Sequence, residues 1–590
     1  MSHLRHLTGG LVCLALCAGA ARAEAPPAPL NLLPSEADLL VQVRQPRRLV
    51  EALASFEAIQ QLRQVPAARN LLDSTNLRRA KQLVGYFERE LGAPWPELVD
   101  RLAGHGAAAA LLFQSLHADK AKFGATPTPA LLVVQGKDEK LVQKFAKLGL
   151  ALLEQELARK ENAPKAEKRA YHGVETVHLG NDFHAAVVGP AILIANREKM
   201  LHRGLDLHRG SLKSSLADSA KVADAGKLLP EGPLAAVWVN MERVQQSPEG
   251  KKLYKSPRDN GNLTGLVGAI LDVLGRTPFV AAGLYREEAG FLLTARMPRG
   301  RAGMGADSAL HLPPPGKPGS RPLLEPKDVV FSSSFYLNVP SIWEDRAKLF
   351  NEKQAKALEQ FDKTSARFLI GTKMSKLLTQ AGPYQRFVAV NQAKVPYKTQ
   401  PKTPIGAFAL VTELREPEAF ARSMNAVLRG AAFLASFQVK LKLVEEKYNG
   451  CSIVGYRFPE DAVLKVDVND LRFNFSPCFV RVGDQFVLCS TLELCREMID
   501  VLKKEGTAPE RGAASTERMR FYAAGVADGL VTGEDTLIAQ TILDQAVSPE
   551  EARQQARAFA AWVRRLGTLT QSTTYTDNEF HYDIRLKTAK

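Results

Sequence analysis

The sequence predicts an α+β protein built from two tandem copies of an antiparallel sheet, each with helices packed on one face. Three observations support this prediction. Patterns of apolar and turn residues recur in the same order in both halves, at offsets of about 290 residues. A segment rich in proline and glycine separates the halves, and short turns between successive strands favour antiparallel pairing. The 590 residues are 45% hydrophobic and include 26 Phe, so folded cores are expected rather than disorder.

Each half begins with an alternation of strand and helix. In the first half ADLLVQV (37–43) is followed by PRRLVEAL, and in the second half SSSFYLNV (332–339) is followed by PSIWEDRAKL. A second strand, rich in branched residues, then leads into a helix with one apolar face, starting at PALLVVQ (129–135) and at AFALVTEL (407–414). This order predicts a sheet covered by long amphipathic helices.

A hairpin followed by a helix gives the clearest match between the halves. VVGPAILIANREKMLHRGLD (187–206) aligns with RVGDQFVLCSTLELCREMID (481–500). The Val-Gly pairs place Gly189 and Gly483 where a tight turn needs positive φ. The apolar run after each pair predicts a buried central strand, and a helix is expected to follow it.

These patterns divide the chain into four parts. Residues 1–23 are expected to be a signal peptide, 24–312 the first α+β repeat, 313–326 a Pro/Gly linker and 327–590 the second α+β repeat. The linker prediction rests on the sequence PPPGKPGSRPLLEP, whose prolines favour an extended backbone.

The first residues have the pattern of a secretory signal. A positive start at Arg5 precedes an apolar stretch, and the sequence ARA (21–23) provides a cleavage site. We therefore expect export to the periplasm or the extracellular space. The alternative is a lipid anchor at Cys17, although Leu16 stands before it where a small residue is needed. No later stretch approaches the roughly 20 apolar residues of a membrane-spanning helix.

The formal net charge of +15 makes anionic partners plausible, with an anionic envelope polymer or lipid headgroups as the expected class. The sequence carries no specific signal for nucleic acid. Its densest basic cluster is RKENAPKAEKR (159–169), which is expected to be a loop; Lys165, Lys168 and Arg169 are the candidate anion contacts. The alternative is that the charge only keeps a solvated surface soluble.

Four cysteines remain after the signal peptide. Cys451 and Cys478 are candidates for a disulfide between neighbouring strands, which an oxidising compartment would allow. The alternative is that the cysteines are buried apolar residues. The positions aligned with Cys451, Cys489 and Cys495 in the first half hold Val174, Ala195 and Leu201.

One group of histidines is a candidate metal site. His172 and His178 are expected on one face of a strand, and the facing strand brings His184 near them. The aligned positions of the second half cannot form the same site, so ordinary surface or half-buried histidines are the alternative. No cofactor is predicted.

Function is constrained mainly by what the sequence lacks. It contains none of the motifs G-x-S-x-G, H-E-x-x-H, G-x-x-x-x-G-K-[ST] or G-x-G-x-x-G, and no EF-hand loop. The first hypothesis is therefore an exported, non-enzymatic binding or scaffolding protein of the cell envelope. The alternatives are a carrier of an apolar ligand or lipid, and an envelope hydrolase with paired carboxylates.

The mature chain opens with LLPSEADLLVQV (32–43), followed by a Tyr-x-Gly strand and a late apolar hairpin that leads into a helix ending in Leu-Asp or Ile-Asp. This plan resembles uncharacterised secreted bacterial proteins grouped as a domain-of-unknown-function family, in which a Leu-Pro-x-x-Ala-Asp strand opens an exported chain. The resemblance covers most of the mature chain. It implies an envelope location and an undefined role, and it supplies no catalytic residue.

Overall fold

A computed structural model describes residues 28–589 apart from gaps at 63–64, 66–67, 69–73, 114–127, 160–164, 256–260, 368, 393–394, 396, 440, 462–466 and 507–513. The expected signal peptide and Cys17 lie outside the described residues. The chain divides into two compact units. Unit 1 extends to Lys251 and includes Thr277–Pro298, whereas unit 2 comprises Lys252–Arg276 and the residues from Arg299 onward.

The described residues of unit 1 form ten strands. These are β1 (Leu39–Val43), β2 (Gly106–Leu111), β3 (Ala130–Gln135), β4 (Ala166–Tyr171), β5 (Val174–Leu179), β6 (Phe183–Val188), β7 (Ala191–Ala195), β8 (Ala235–Asn240), β9 (Phe279–Glu287) and β10 (Gly290–Pro298). Their spatial order is β4-β5-β6-β7-β3-β2-β1-β8-β9-β10, and every neighbouring pair is antiparallel.

The helices of unit 1 cover both faces of this sheet. They are α1 (Pro46–Ala54), α2 (Glu57–Leu62), α3 (Thr75–Leu91), α4 (Trp95–Ala103), α5 (Glu139–Ala158), α6 (Glu198–Arg209), α7 (Ala220–Leu228), α8 (Met241–Gln246) and α9 (Pro248–Lys255), which continues past Lys251. On β6, Ala185 and Val187 pack in the cluster that contains α5. The alternate residues Ala186 and Val188 pack in the cluster that contains α6. Because side chains alternate along a strand, α5 and α6 lie on opposite faces.

Unit 2 also has ten strands among its described residues. These are β11 (Val329–Tyr336), β12 (Ala381–Val390), β13 (Ala407–Leu414), β14 (Lys442–Tyr448), β15 (Cys451–Arg457), β16 (Cys478–Val482), β17 (Gln485–Cys489), β18 (Glu517–Tyr522), β19 (Thr568–Tyr575) and β20 (Glu579–Lys587). Their order is β14-β15-β16-β17-β13-β12-β11-β18-β19-β20, again with antiparallel neighbours throughout.

The helices of unit 2 follow the same arrangement. They are α10 (Gly261–Arg276), α11 (Val339–Glu344), α12 (Arg346–Leu349), α13 (Glu352–Ser365), α14 (Met374–Gln380), α15 (Pro417–Val439), α16 (Leu492–Gly506), α17 (Ala523–Thr532), α18 (Glu534–Gln545) and α19 (Pro549–Arg565). Phe479 and Phe486 pack with residues of α15, whereas the alternate residues Val480 and Val487 pack with residues of α16. The sheet therefore lies between these two helices.

The α+β class and the antiparallel pairing are confirmed, but the prediction of helices on one face is wrong. Consecutive residues of the central strands are apolar, as in AAVV of β6 and FVLC of β17. Exposure of either apolar face of such a strand to water is unfavourable, so each face needs a covering layer. Among the described helices, none combines the length and the apolar character needed to cross a membrane.

The Val-Gly turns form as predicted. Gly189 has φ of 54° and Gly483 has φ of 60°, which are left-handed values that favour glycine. The helices that follow are α6 and α16, and each packs its apolar side on the strand that the turn begins.

The proline-rich segment 313–326 packs against unit 2. Leu324 belongs to the core cluster around β13 and α16 and is buried. The hydroxyl of Tyr384 donates a hydrogen bond of 2.7 Å to the carbonyl of Pro318. The guanidinium of Arg518 donates to Ser320 Oγ at 3.1 Å and to the carbonyl of Arg321 at 2.7 Å. These contacts hold the segment on the sheet of unit 2. Its backbone turns at Gly316, where the N–H of Lys317 donates to the carbonyl of Pro314 at 3.1 Å.

Candidate functional site

The candidate site is a groove in unit 2 between α15 and the strands β14–β17. The groove encloses a cavity of about 610 Å³. Its apolar floor includes Val454, Phe479 and Phe486, which are buried and lie on the sheet face that α15 covers. A cavity of this size is within the roughly 300–1,000 Å³ range of small-molecule sites.

Four cationic side chains line this groove: Arg422, Arg429, Lys447 and Arg481. The first two are seven residues apart on α15, which places them on one face of the helix two turns apart. Arg429 is oriented by Asn425, whose Oδ1 accepts from Nε at 2.7 Å, and by Glu445.

The other three cations differ in how they are held. Arg481 donates to Glu418 at 2.8 Å. Arg422 and Lys447 are exposed and make no ion pair with any residue that the structure describes. These two side chains can therefore accept an anionic ligand without giving up a protein partner.

The two carboxylates of the groove are both engaged. Glu445 pairs with Arg429, and Glu446 makes a bidentate pair with Arg496 at 2.8 and 2.7 Å. The hydrogen bonds from Arg496 lower the pKa of Glu446 below its usual value. A carboxyl group held as an anion in this way cannot serve as the general acid that a two-carboxylate hydrolase requires.

A second, smaller cavity of unit 2 contains one half-buried carboxyl. The cavity has a volume of about 80 Å³ and is lined by Glu517, Thr573 and Tyr575, among others. Desolvation by burial raises the pKa of Glu517, although Thr573 Oγ1 donates to it at 3.2 Å. Glu517 is the only carboxylate among the described residues that line this cavity.

The structure brings two of the three predicted histidines together. His178 on β5 is directly opposite His184 on β6, and their Nδ1 atoms are 2.8 Å apart. His184 Nε2 is 3.2 Å from the carbonyl of Asn181, so it is the donor there, and its Nδ1 accepts from His178. His178 Nε2 is 2.8 Å from Thr176 Oγ1. Both rings are buried and occupied by protein hydrogen bonds.

His172 does not join that pair. It lies in the turn between β4 and β5 with φ of 48°, and its ring is 4.3 Å from that of Tyr171. The prediction that His172 and His178 share a strand face is therefore wrong, because a two-residue turn at 172–173 interrupts the strand. Within the described ranges, no group of three or more His, Cys, Asp or Glu side chains has the geometry to hold a metal ion.

The basic cluster differs from the loop that was predicted. Ala166–Tyr171 forms the edge strand β4, since it pairs residue by residue with β5. Lys168 lies 3.2 Å from Glu175, and Arg169 pairs with Glu167 at 2.7 Å and with Glu198 at 3.2 Å. Lys165 is exposed and makes no ion pair with a described residue. Anion binding at Lys165, Lys168 and Arg169 stays a prediction.

The candidate disulfide between Cys451 and Cys478 is not formed, since both are free thiols. Gly455 is the residue opposite Cys478, so Cys451 lies four positions further along β15. Four strand residues span about 13 Å, whereas a disulfide needs Cα atoms within about 7 Å. The alternative of buried apolar residues holds for Cys478, Cys489 and Cys495, which belong to one core cluster.

Sequence reasoning missed the groove. The spacing of Arg422 and Arg429 on a predicted helix was a usable signal, because a seven-residue interval repeats a helix face. The floor offered no comparable signal. Phe479 and Phe486 are separated by a turn and become neighbours, with ring centroids 5.9 Å apart, only when the hairpin pairs.

Comparisons with known proteins find only distant structural similarity to this chain. No protein-family model matches the sequence, and no curated protein matches it either. Among solved structures, crystal forms III, IV and I of a protein named TP0453 overlap with it at 11%, 11% and 10% identity. They cover 48%, 46% and 48% of this chain and 84%, 80% and 83% of theirs, with TM-scores of 0.23, 0.22 and 0.24. Likeness at this level carries no argument about function.

Proposed function

We propose that this chain is an exported, non-enzymatic binding protein of the cell envelope, and that the groove of unit 2 holds an anionic amphiphile with a single acyl chain. The observation that carries the proposal is the combination of a cavity of about 610 Å³ with an aromatic floor and a cationic rim. It favours a lipid carrier over a scaffold without a ligand.

The floor accounts for the apolar part of the ligand. Val454, Phe479 and Phe486 offer a surface of aromatic and branched side chains, on which an acyl chain loses contact with water. Each buried CH₂ group contributes about 0.8 kcal/mol to the free energy of transfer from water.

The rim accounts for the charged part. Arg422 and Lys447 supply donors that no carboxylate of the described residues occupies, and Arg429 is held in place by Asn425 and Glu445. A carboxylate or phosphate headgroup would accept charge-assisted hydrogen bonds from these side chains.

A duplication is the proposed origin of the two units. The support is the identical strand order of their sheets and the pairs α5/α6 and α15/α16 on opposite sheet faces. The domain limits 24–312 and 327–590, the signal peptide at 1–23 and the envelope location belong to this proposal.

The ligand proposal is tested by calorimetric titration of the full chain with dodecanoate, below its micelle concentration. Dodecanol is the uncharged comparison with the same acyl length. We expect dodecanoate to bind more tightly, and Arg422→Gln with Lys447→Gln to weaken it about 100-fold through loss of two charge-assisted contacts. Ser452→Trp, at an exposed residue of the groove, should block both ligands by filling the cavity.

The matched control is Lys199→Gln with Lys213→Gln, which removes two exposed cations of unit 1 that make no ion pair with a described residue. This variant has the same change in net charge and should bind dodecanoate as the wild type does. If it loses as much affinity as the groove variant, general charge attraction explains the binding and the groove does not.

A further inference from the structure

The C-terminal turns of α15 expose large apolar side chains to solvent. Phe433, Leu434 and Phe437 are 65%, 54% and 74% exposed. The two phenylalanine rings are one helical turn apart and contact edge to face, with centroids 5.2 Å apart. Exposed apolar groups that cluster in this way are uncommon on a surface that faces only water.

A strained residue extends this surface. Ile370 is 42% exposed and has φ of 48°, in the left-handed region that β-branched residues avoid. Its side chain packs on α15 where Gly430 leaves room, since a Cβ at that position would be 2.3 Å from Ile370 Cγ1. We call Ile370, Phe433, Leu434 and Phe437 the α15 apolar patch.

In unit 1 the helix that corresponds to α15 is α5, and another helix covers its apolar surface. On α5, Phe145, Leu148 and Leu152 pack with Phe87 and Leu91 of α3. In the described part of unit 2, no such helix lies over Phe433, Leu434 and Phe437, as their exposure shows. Among the residues that the structure describes, the patch is therefore uncovered.

Three cations lie close to the residues of the patch in sequence. Arg367 and Lys373 are each three residues from Ile370, which limits their Cα atoms to within about 11 Å of it. Lys442 follows the end of α15 by three residues. All three are exposed, and none makes an ion pair with a described residue.

We propose that the α15 apolar patch docks on the interface of an anionic lipid bilayer. Phe433 and Phe437 enter the boundary between headgroups and acyl chains, while Arg367, Lys373 and Lys442 contact the headgroup phosphates. This pairing of embedded aromatics with basic residues is the physical basis of interfacial membrane binding.

Charge selects the bilayer over a second copy of the chain. Two copies that meet at this patch would bring like cations together, which is unfavourable, whereas an anionic surface neutralises them. Docking is independent of the groove proposal because it uses neither the cavity nor Arg422 and Lys447.

Cosedimentation with vesicles tests the inference on the full chain. We expect binding to phosphatidylcholine vesicles that contain one third phosphatidylglycerol, and much weaker binding to phosphatidylcholine alone. Phe433→Ser with Phe437→Ser should lower the partition coefficient about 100-fold, because the apolar area of the two rings is no longer transferred from water into the lipid. Replacement of Arg367, Lys373 and Lys442 by Gln should remove the preference for phosphatidylglycerol.

Leu543→Ser is the control, since Leu543 is 80% exposed on a different helix and should leave binding unchanged. Phe437→Trp gives a second readout, because its emission should shift to shorter wavelength on vesicles. Sedimentation of the Phe433/Phe437 variant equal to wild type overturns the inference. So does a dimer that the same variant dissociates in the absence of lipid. The Arg422/Lys447 variant should still bind vesicles, which separates failure here from failure of the groove proposal.

Discussion

The ion pair between Arg386 and Glu505 gives the sharpest test of the core of unit 2. Arg386 on β12 is buried, and its Nη1 donates to both carboxylate oxygens of Glu505 at 2.7 Å. It also donates to the carbonyl of Pro322 at 3.3 Å and to Gln485. Desolvation lowers the pKa of Arg386, although arginine remains protonated at neutral pH. Glu505 is therefore the counter-ion of a cation that water barely reaches.

The cost of separating this pair depends on which partner is removed. Glu505→Ala leaves the guanidinium buried without a counter-ion, which costs about 3–5 kcal/mol of unfolding free energy. Arg386→Met removes the buried charge and keeps most of the volume. The remaining Glu505 is 23% exposed and can recover part of its hydration, so we expect a loss of about 1 kcal/mol. The double variant should resemble Arg386→Met.

Hydrogen exchange of the full chain, read by mass spectrometry, measures these changes in the peptides of β12 and α16. A loss of about 4 kcal/mol raises exchange from globally unfolded molecules by roughly three orders of magnitude. Unit 1 peptides serve as the internal control. The reasoning is refuted if Arg386→Met is as destabilising as Glu505→Ala, because the buried charge would then not be the cause.

Three further predictions concern other parts of the structure. Gly430→Ala should destabilise unit 2 by about 1 kcal/mol in urea unfolding, because the steric clash of the new Cβ with Ile370 outweighs the gain in helix propensity. Gly85→Ala is the comparison: no atom lies within 4 Å of its new Cβ, so the change should stabilise its helix by about 1 kcal/mol. Burial lowers the pKa of His178 below its unfolded value of about 6.5, so between those two values the unfolded chain binds more protons. Unit 1 should therefore lose stability as pH falls below about 6.5, and His178→Gln should reduce that loss in unfolding curves. Iodoacetamide should label the half-buried Cys451 in the folded chain and the three buried cysteines only after unfolding. If mass spectrometry finds a pair of cysteines that stays unlabelled in the unfolded, unreduced chain, the four thiols are not all free.

The sequence was sufficient for the local features of the fold. Gly189 and Gly483 have the positive φ that the Val-Gly pattern required, because only the local backbone decides that angle. The order of strand, helix and hairpin follows from periodicity, which is also local. His178 and His184 were predicted to be neighbours because one hairpin joins their strands.

The tertiary structure decided which surfaces are covered. The strand AFALVTEL and its following helix have the same apolar pattern as the strand PALLVVQ and its helix. Phe145 of α5 nevertheless packs against α3, whereas Phe437 of α15 is 74% exposed. Long-range packing also decided where the groove lies and that helices cover the second face of each sheet. Whether an apolar side chain is buried depends on long-range contacts between elements distant in sequence, and periodicity records only that a face is apolar. The sequence thus determined the faces themselves, and the packing of the whole chain determined what each face meets.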